Sequence, residues 1–430
     1  MKAMDAHGIS GTAWGGGFWW SDSYSMKLGD ADLADSAAFN LLKGYIDESN
    51  VRSGTSAADT ILGTAQVDRM RGGDGNDQLA GSAGADSLAG GAGLDTVNYG
   101  ASTAAVDVDI RRIWQKGGHA AGDMLGSIEN VLGSAYADII KGDAKENTLN
   151  GNAGNDVLVG RGGADRLDGG TGTDTASYEE SGSAVDVDLV RATQLGGDAL
   201  GDVLVSIERI IGSRYSDKLA GSTNADTVIG GLGDDVLTGR GGADALDGGD
   251  GRDTASYVDS TAGVDVDLMR ATQLGGHAAG DTLIKIEDLI GSQYDDKVSG
   301  NSSVNQLNGG AGNDVLNGRG GADKLTGGGG NDRFVFDTAA NAKGDRVLDF
   351  SVGDLLDFSA IDANSNLSGN QAFVLIGSKA FTKVAGQLRV FTSSTNNTTY
   401  ISGDTNGDGV ADFTVSLTGI HSLSTSGLIL

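Results

Sequence analysis

The sequence predicts an all-β chain: a parallel β-solenoid, preceded by a short cap containing one helix and followed by a C-terminal β domain. Three observations predict it. An acidic position recurs every nine residues, glycine stands five residues before it, and an apolar residue stands two after it. Self-similarity at so short a period is the mark of stacked coils, because each turn can bury its apolar residue only against the turns beside it.

The first run is Asp59, Asp68, Asp77, Asp86 and Asp95, within segments such as GGDGNDQLA (72–80) and GGAGLDTVN (90–98). The run of five returns at Asp138, Asn147, Asp156, Asp165 and Asp174. It returns again at Asp217, Asp226, Asp235, Asp244 and Asp253, and finally at Asp296, Asn305, Asp314, Asp323 and Asp332. The blocks are offset by 79 residues, so a long period contains the short one. Every one of the twenty repeats keeps its glycine, from Gly54 to Gly327. The apolar position is held by residues such as Leu79, Leu158, Leu237 and Leu316, shrinking to Ala176 and Ala255.

Composition says what must hold such an array together. Of 430 residues 73 are glycine, none is proline or cysteine, and only 5% are aromatic. Ordering that much glycine is entropically costly, and a lean core offsets little of the cost. Asp plus Glu number 59 against 30 Lys plus Arg, a formal charge of −29. This excess disfavours nucleic acid and anionic lipid as partners and points to a cation. Lack of cysteine excludes disulfides and thiolate metal sites.

Between blocks lie inserts of 34 residues that match one another: VDVDI (106–110), VDVDL (185–189) and VDVDL (264–268), leading to SIENVLGS, SIERIIGS and KIEDLIGS. Alternating valine and aspartate is a half-buried strand pattern, so each insert reads as a wider turn of the coil. QLGG, at 194–197 and 273–276, marks the inserts as a candidate contact surface. The domain reading is a cap or contact segment at 1–53, the array at 54–335 and the C-terminal domain at 336–430. The first segment holds Trp14, Trp19 and Trp20 and an amphipathic helix over about 31–47, with Leu33, Ala37, Leu41 and Tyr45 on one face. Runs such as RVLDF, AFVLIG, QLRVF and DFTVSL predict that the last domain is antiparallel β.

The nonapeptide suits calcium. This hard cation takes six to eight oxygens and accepts backbone carbonyls. Glycines let a loop turn several carbonyls toward one point, and aspartate adds charge. A single such repeat reads as readily as a turn capped by its aspartate; twenty in register do not. The glycine two before the acid is present only in the last three repeats of each block, such as Gly75, Gly84 and Gly93. The best-formed pairs are therefore Asp77/Asp95, Asp156/Asp174, Asp235/Asp253 and Asp314/Asp332, for roughly four to twelve ions in all. Loops at Asn147 and Asn305 are the poorest. A further candidate is DTNGDGVAD (404–412), where Asp404, Asn406, Asp408 and Asp412 fall at EF-hand-like positions, although Val415 stands where that loop needs a bidentate glutamate.

GGAGNDVLNGRGGADKLTGGGGNDRF (309–334) resembles the repeat of the RTX, or hemolysin-type, calcium-binding family. The resemblance implies a parallel β-roll in which two nonapeptides complete one turn and calcium lies between loops eighteen residues apart. GDRVLDFSVGDLLDFSAIDAN (344–364), AGQLRV (385–390) and GDTNGDGVADFTVSLTG (403–419) resemble the C-terminal domain of serralysin-type metalloproteases. That likeness implies a signal for the type I (ABC) secretion apparatus, with SGLIL (426–430) as the apolar ending and Gly427 where aspartate is common. The first twenty residues lack the pattern of a standard signal peptide, and no run approaches the length of a membrane span.

The protease itself is not in evidence. The four histidines are His7, His119, His277 and His421, with no H-E-x-x-H, and no G-x-S-x-G occurs. The expectation is therefore a secreted, non-enzymatic calcium-binding protein of a surface layer, matrix or adhesive, assembling with itself. The alternative is a calcium-dependent module that binds polysaccharide or a host molecule.

Overall fold

The structure, a computed structural model, describes residues 50–430 together with a short antiparallel pairing of Ala13–Trp14 with Gly17–Phe18. The expected helix at 31–47 and the role given to the tryptophans lie outside the described residues. The chain forms two compact units: residues 1–175 with 202–207, and residues 176–201 with 208–430. Among the described residues the regular structure is strand, with 3-10 turns such as Gly118–Ala120 and Thr425–Gly427.

In the first unit successive nonapeptides alternate between two parallel sheets. Val51–Ser53, Arg69–Asp74 and Ser87–Ala92 make one; Thr60–Leu62, Gln78–Ala80 and Thr96–Asn98 make the other. Partners lie eighteen residues apart, as in Met70↔Leu88 and Leu79↔Val97. Most strands are three residues long because the nonapeptide spends its glycine-rich six on the turn. Only the middle residue of each points inward, so the core is a file of single side chains: Met70, Leu79, Leu88 and Val97 are fully or almost fully buried. Each such burial stabilises by about 1.5–3 kcal/mol, which is modest against nine ordered residues.

The insert behaves as a wider turn that exchanges one wall for another. In the first, Asp107–Asp109 opens a new sheet against Ile139–Lys141, while Met124–Gly126 closes the sheet ending in Ser87–Ala92. Asn130–Leu132 carries the remaining sheet on from Thr96–Asn98 to Thr148–Asn150. The third insert, in the second unit, does the same. Asp265–Asp267 opens against Lys297–Ser299, Thr282–Ile284 closes on Ala245–Asp250, and Asp288–Ile290 continues from Thr254–Ser256. A buried glutamine fixes each hairpin: Gln115, Gln194 and Gln273 accept the N–H of Asp109, Asp188 and Asp267 at 2.8 Å. The QLGG glutamines are therefore structural, and the exposed side chains of that motif are Leu195 and Leu274.

The second unit ends differently from the expectation of a purely antiparallel domain after 335. Parallel stacking continues through Arg346–Val347 and Leu355–Asp357, which pair with Lys324–Gly329 and Arg333–Val335. The reason is visible in GDRVLDF and GDLLDF, where an aspartate again stands two before the inward apolar residue, Val347 or Leu356. Antiparallel pairing begins only with Gln387–Ser393, Thr398–Asp404 and Phe413–Thr418. Here the core is aromatic: Phe336 stacks on Phe358 at 4.9 Å, and Phe413 meets Phe358 and Phe373 at 5.7 and 5.8 Å.

Candidate functional site

Each acid of the array belongs to a ladder. In the third to fifth repeats its Oδ1 accepts the backbone N–H of the acidic position eighteen residues earlier, whereas the first-repeat acids Asp138, Asp217 and Asp296 accept from Val106, Val185 and Val264 of the preceding insert. Asp77 donates to Asp95 at 2.8 Å, Asp156 to Asp174 at 2.8 Å, Asp235 to Asp253 at 2.9 Å and Asp314 to Asp332 at 3.0 Å. The early repeats join the same ladder, with Asp59 donating to Asp77, Asp68 to Asp86, Asp138 to Asp156, Asp217 to Asp235, Asp226 to Asp244 and Asp296 to Asp314. Asn147 and Asn305 donate to Asp165 and Asp323 at 2.8 Å. The glycine five before each acid leaves room for the carboxylate to fold back. A Cβ at Gly72 would lie 2.1 Å from Oδ2 of Asp77, and one at Gly230 2.2 Å from that of Asp235.

The second oxygen separates early loops from late ones. In the first two repeats a serine or threonine follows the conserved glycine and caps the acid. Thr55 caps Asp59 and Thr64 caps Asp68 through both N–H and hydroxyl; Ser134, Ser213 and Ser292 serve Asp138, Asp217 and Asp296, and Ser222 serves Asp226. Asp68 and Asp226 keep one buried oxygen without a donor. The asparagines are held similarly, each by the N–H four residues before it and by donating to Glu129 or Glu287 carbonyls. The early loops thus carry the hydrogen bonds of capped turns.

In the late repeats no hydroxyl caps the acid. Oδ2 of Asp77, Asp86, Asp95, Asp156, Asp165, Asp235, Asp244, Asp253, Asp314 and Asp323 is buried and has no hydrogen-bond donor. Leaving such an oxygen unpaired costs about 1–3 kcal/mol, and more when it is charged. Burial, opposed by the ladder N–H and reinforced by neighbouring aspartates, pushes Asp86 up to about 8 and Asp156, Asp235 and Asp314 up to about 7. Once ionised, these carboxylates have no hydrogen-bond donor for Oδ2 within the chain. The glycine two before the acid shapes the same loops: Gly75 and Gly233 have φ of 107° and 115°, and a Cβ there would lie 2.6 Å from the backbone of Ala57 or Tyr215. The late loops therefore fit a hard cation taking carboxylate and carbonyl oxygens. Among the described residues no three acidic or imidazole side chains converge on one point, so any such ion draws largely on backbone oxygens.

Several ladder members fall outside the nine-residue count. Asp123, Asp202 and Asp281 of the inserts accept the N–H of Asp86, Asp165 and Asp244 at 2.8–2.9 Å. Glu129 and Glu287 accept from Asp95 and Asp253, while Asp345 and Asp354 accept from Asp323 and Asp332. Asp123 and Asp281 are closed by the buried hydroxyls of Tyr99 and Tyr257, which donate to their second oxygens at 3.0 and 3.1 Å. A signal existed in sequence: each insert carries G-D-x-Leu at the 79-residue spacing (Asp123/Leu125, Asp202/Leu204, Asp281/Leu283).

The loop at 404–412 accounts for its own carboxylates. Asp404 accepts from the N–H of Gly407 and Gly409 at 2.7 and 2.9 Å, and Asp412 from Thr405 and Asn406. Asp408 accepts from Val410, and Asn406 accepts from Asp408. It is a closed Asx-type turn. His119 and His277 sit in equivalent 3-10 turns, Gly118–Ala120 and Gly276–Ala278, where Asp198 occupies the third.

Short parallel strands, glycine turns and a ladder of uncapped buried carboxylates define a repeat roll whose late loops suit a cation. The model of the RTX calcium-binding nonapeptide repeat matches residues 53–102 in two overlapping segments, 142–176, 207–255 and 286–334, the last two again in overlapping pairs. The array belongs to that calcium-binding repeat family, and all four blocks carry its repeat. Similar solved structures include the solution structures of the AlgE6R3 and AlgE6R2 subunits from the Azotobacter vinelandii mannuronan C5-epimerase. Identities are 29% and 31%; each covers 33% of this chain and 77% or 91% of its own, with TM-scores of 0.25 and 0.21. No curated protein matches the chain. Among the described residues no helix is long and apolar enough to cross a membrane.

Proposed function

We propose that this chain is a secreted, non-enzymatic protein whose array folds on calcium outside the cell and then serves as a stiff element of a surface layer, matrix or adhesive. The observation that carries the calcium reading is the set of uncapped Oδ2 atoms in the late loops. The residues proposed to hold the ions are the late-repeat acids Asp77, Asp86, Asp95, Asp156, Asp165, Asp174, Asp235, Asp244, Asp253, Asp314, Asp323 and Asp332, with the early acids capped as turns. Bound between loops, calcium supplies the positive charge that the ladder lacks. The chain's own part is to present carboxylates and carbonyls, stack the loops and bury one apolar residue per strand.

Export follows from the same charge balance. With 59 acidic residues against 30 basic, the calcium-poor chain resists compaction and stays threadable, in keeping with the resemblance of its tail to a type I secretion domain. Outside, millimolar calcium reaches the range in which weak extracellular sites fill, and folding prevents return. Self-assembly is the proposed outcome once the array has folded and stiffened on calcium.

Titrating calcium into the purified chain, with far-UV circular dichroism and electron microscopy on the same samples, tests folding and assembly together. Filaments or sheets that appear with the β signal support the structural role. A monomer that binds glycans on an array only in calcium would replace it with polysaccharide recognition.

A further inference from the structure

The second residue of each late nonapeptide adopts positive φ. Glycine fills that place in the third and fifth repeats of the third block, at Gly231 (φ 112°) and Gly249 (φ 102°). The fourth repeat puts an arginine there instead: Arg161 (φ 68°), Arg240 (φ 68°) and Arg319 (φ 61°). A side chain is unfavourable in this region, so the guanidinium must return more than the backbone loses.

Each guanidinium makes a two-pronged ion pair with an insert aspartate. Arg161 reaches Asp109 at 2.9 Å through both Nη atoms, Arg240 reaches Asp188 at 2.7 and 2.8 Å, and Arg319 reaches Asp267 at 2.6 and 2.7 Å. The same Nη1 donates to a carbonyl of the second loop, that of Gly142, Gly221 or Gly300. Register explains the convergence. Asp109, Lys141 and Val159 lie side by side on one sheet, as do Asp188, Ala220 and Thr238, and Asp267, Ser299 and Asn317. The insert loop, second loop and fourth loop that leave these residues are therefore stacked, and the guanidinium spans all three. The first block follows no insert, and its fourth repeat has Ser82 (φ 69°) at this place. Arginine occurs only where there is an insert aspartate to meet.

We infer that Arg161, Arg240 and Arg319 are resident cations, each occupying the junction between an insert loop and the second and fourth loops of the next block so that this junction takes no calcium. The inference rests on the calcium reading of the late loops. It also accords with the asparagine that stands at the acidic position of the second loop in two of these blocks, Asn147 and Asn305.

The test counts ions on the full-length chain by native mass spectrometry after folding in calcium. It compares the wild type with the triple variant Arg161→Ser, Arg240→Ser, Arg319→Ser, since serine is tolerated at this place in the first block. The expected result is one additional calcium for each arginine replaced, because an aspartate and a loop carbonyl lose their fixed positive partner. The matching triple lysine variant, which keeps the charge, should hold the wild-type number. If the triple serine variant does not fold, the single Arg240→Ser variant should carry one extra ion. An unchanged count in a folded serine variant with a lower melting temperature would overturn the inference and leave the arginines as struts. A wild type that binds no calcium would overturn this inference and the reading beneath it together, which separates the two failures.

Discussion

Early and late loops of one block share a strand length, a glycine and an acid, yet they solve the same electrostatic problem in opposite ways. At Asp217 the carboxylate receives the Ser213 hydroxyl and N–H, so the turn is complete as it stands. At Asp235, eighteen residues on, the corresponding oxygen is buried without a donor, and the loop is complete only with a cation. The difference is two residues exchanged for glycine: Ser213 gives way to Gly231, and Tyr215 to Gly233. Protein-supplied donors start each block, and metal-ready loops finish it.

The largest effect should come from breaking a late loop. Asp235→Ala removes one ladder acceptor and one cation ligand, and we expect the calcium midpoint of folding, followed by far-UV dichroism, to rise by about tenfold or more, one tenfold step being about 1.4 kcal/mol. Asp217→Ala should lower the melting temperature of the calcium-loaded protein while moving that midpoint far less. Equal shifts for the two variants would erase the distinction between the loops.

Next in size is Gly233→Ala. Its φ of 115° and the 2.6 Å approach to the Tyr215 backbone forbid a Cβ without displacement. Destabilisation of about 2–3 kcal/mol is expected, read from denaturant unfolding in saturating calcium.

Acid should partly replace the metal. The folded ladder holds carboxyls raised to about 7–8, chiefly by burial, such as Asp86 and Asp156, whereas an unfolded aspartate titrates near 4. Between those values the folded form binds more protons than the unfolded one, so stability of the calcium-free roll falls as pH rises. That contribution is fully present below about pH 4 and lost by about pH 8. Calcium-free samples should show more β signal at pH 5 than at pH 8, and the calcium midpoint at pH 5 should be higher, since protons compete for the same oxygens. A calcium-free signal that grew with pH would contradict the assignment.

The smallest effect should follow from Ser213→Ala, which leaves the N–H cap and removes the hydroxyl. A loss of about 1 kcal/mol is expected, with the calcium midpoint nearly unchanged on titration.

How much of this could be read from the chain follows the same division. The nine-residue period fixes the walls, the inward file and the eighteen-residue partners, because strand pairing in a coil is a matter of counting. The missing glycines at Tyr136, Tyr215 and Tyr294 marked the early loops as different. That their acids are satisfied by Ser134, Ser213 and Ser292 depends on a turn geometry that spacing does not reveal. Asp123 and Asp281 escaped because the insert interrupts the count, although their partners Tyr99 and Tyr257 share the 158-residue offset between the first and third inserts. At 404–412 the side chains close on their own backbone, an arrangement that EF-hand-like spacing does not separate from ligation. Past 335, the stacking of 344–357 was hidden by a longer step between aspartates, Asp323 to Asp345.

Without a divalent cation the late-loop carboxylates should not stay stacked near neutral pH, because their buried Oδ2 atoms have no donor. Far-UV dichroism of the full chain at pH 7.5, first in excess chelator and then with calcium restored, puts this to the test. We expect a largely unfolded spectrum that recovers its β signature cooperatively as calcium rises. A full β signature in chelator would rule out calcium as the element that holds the roll together.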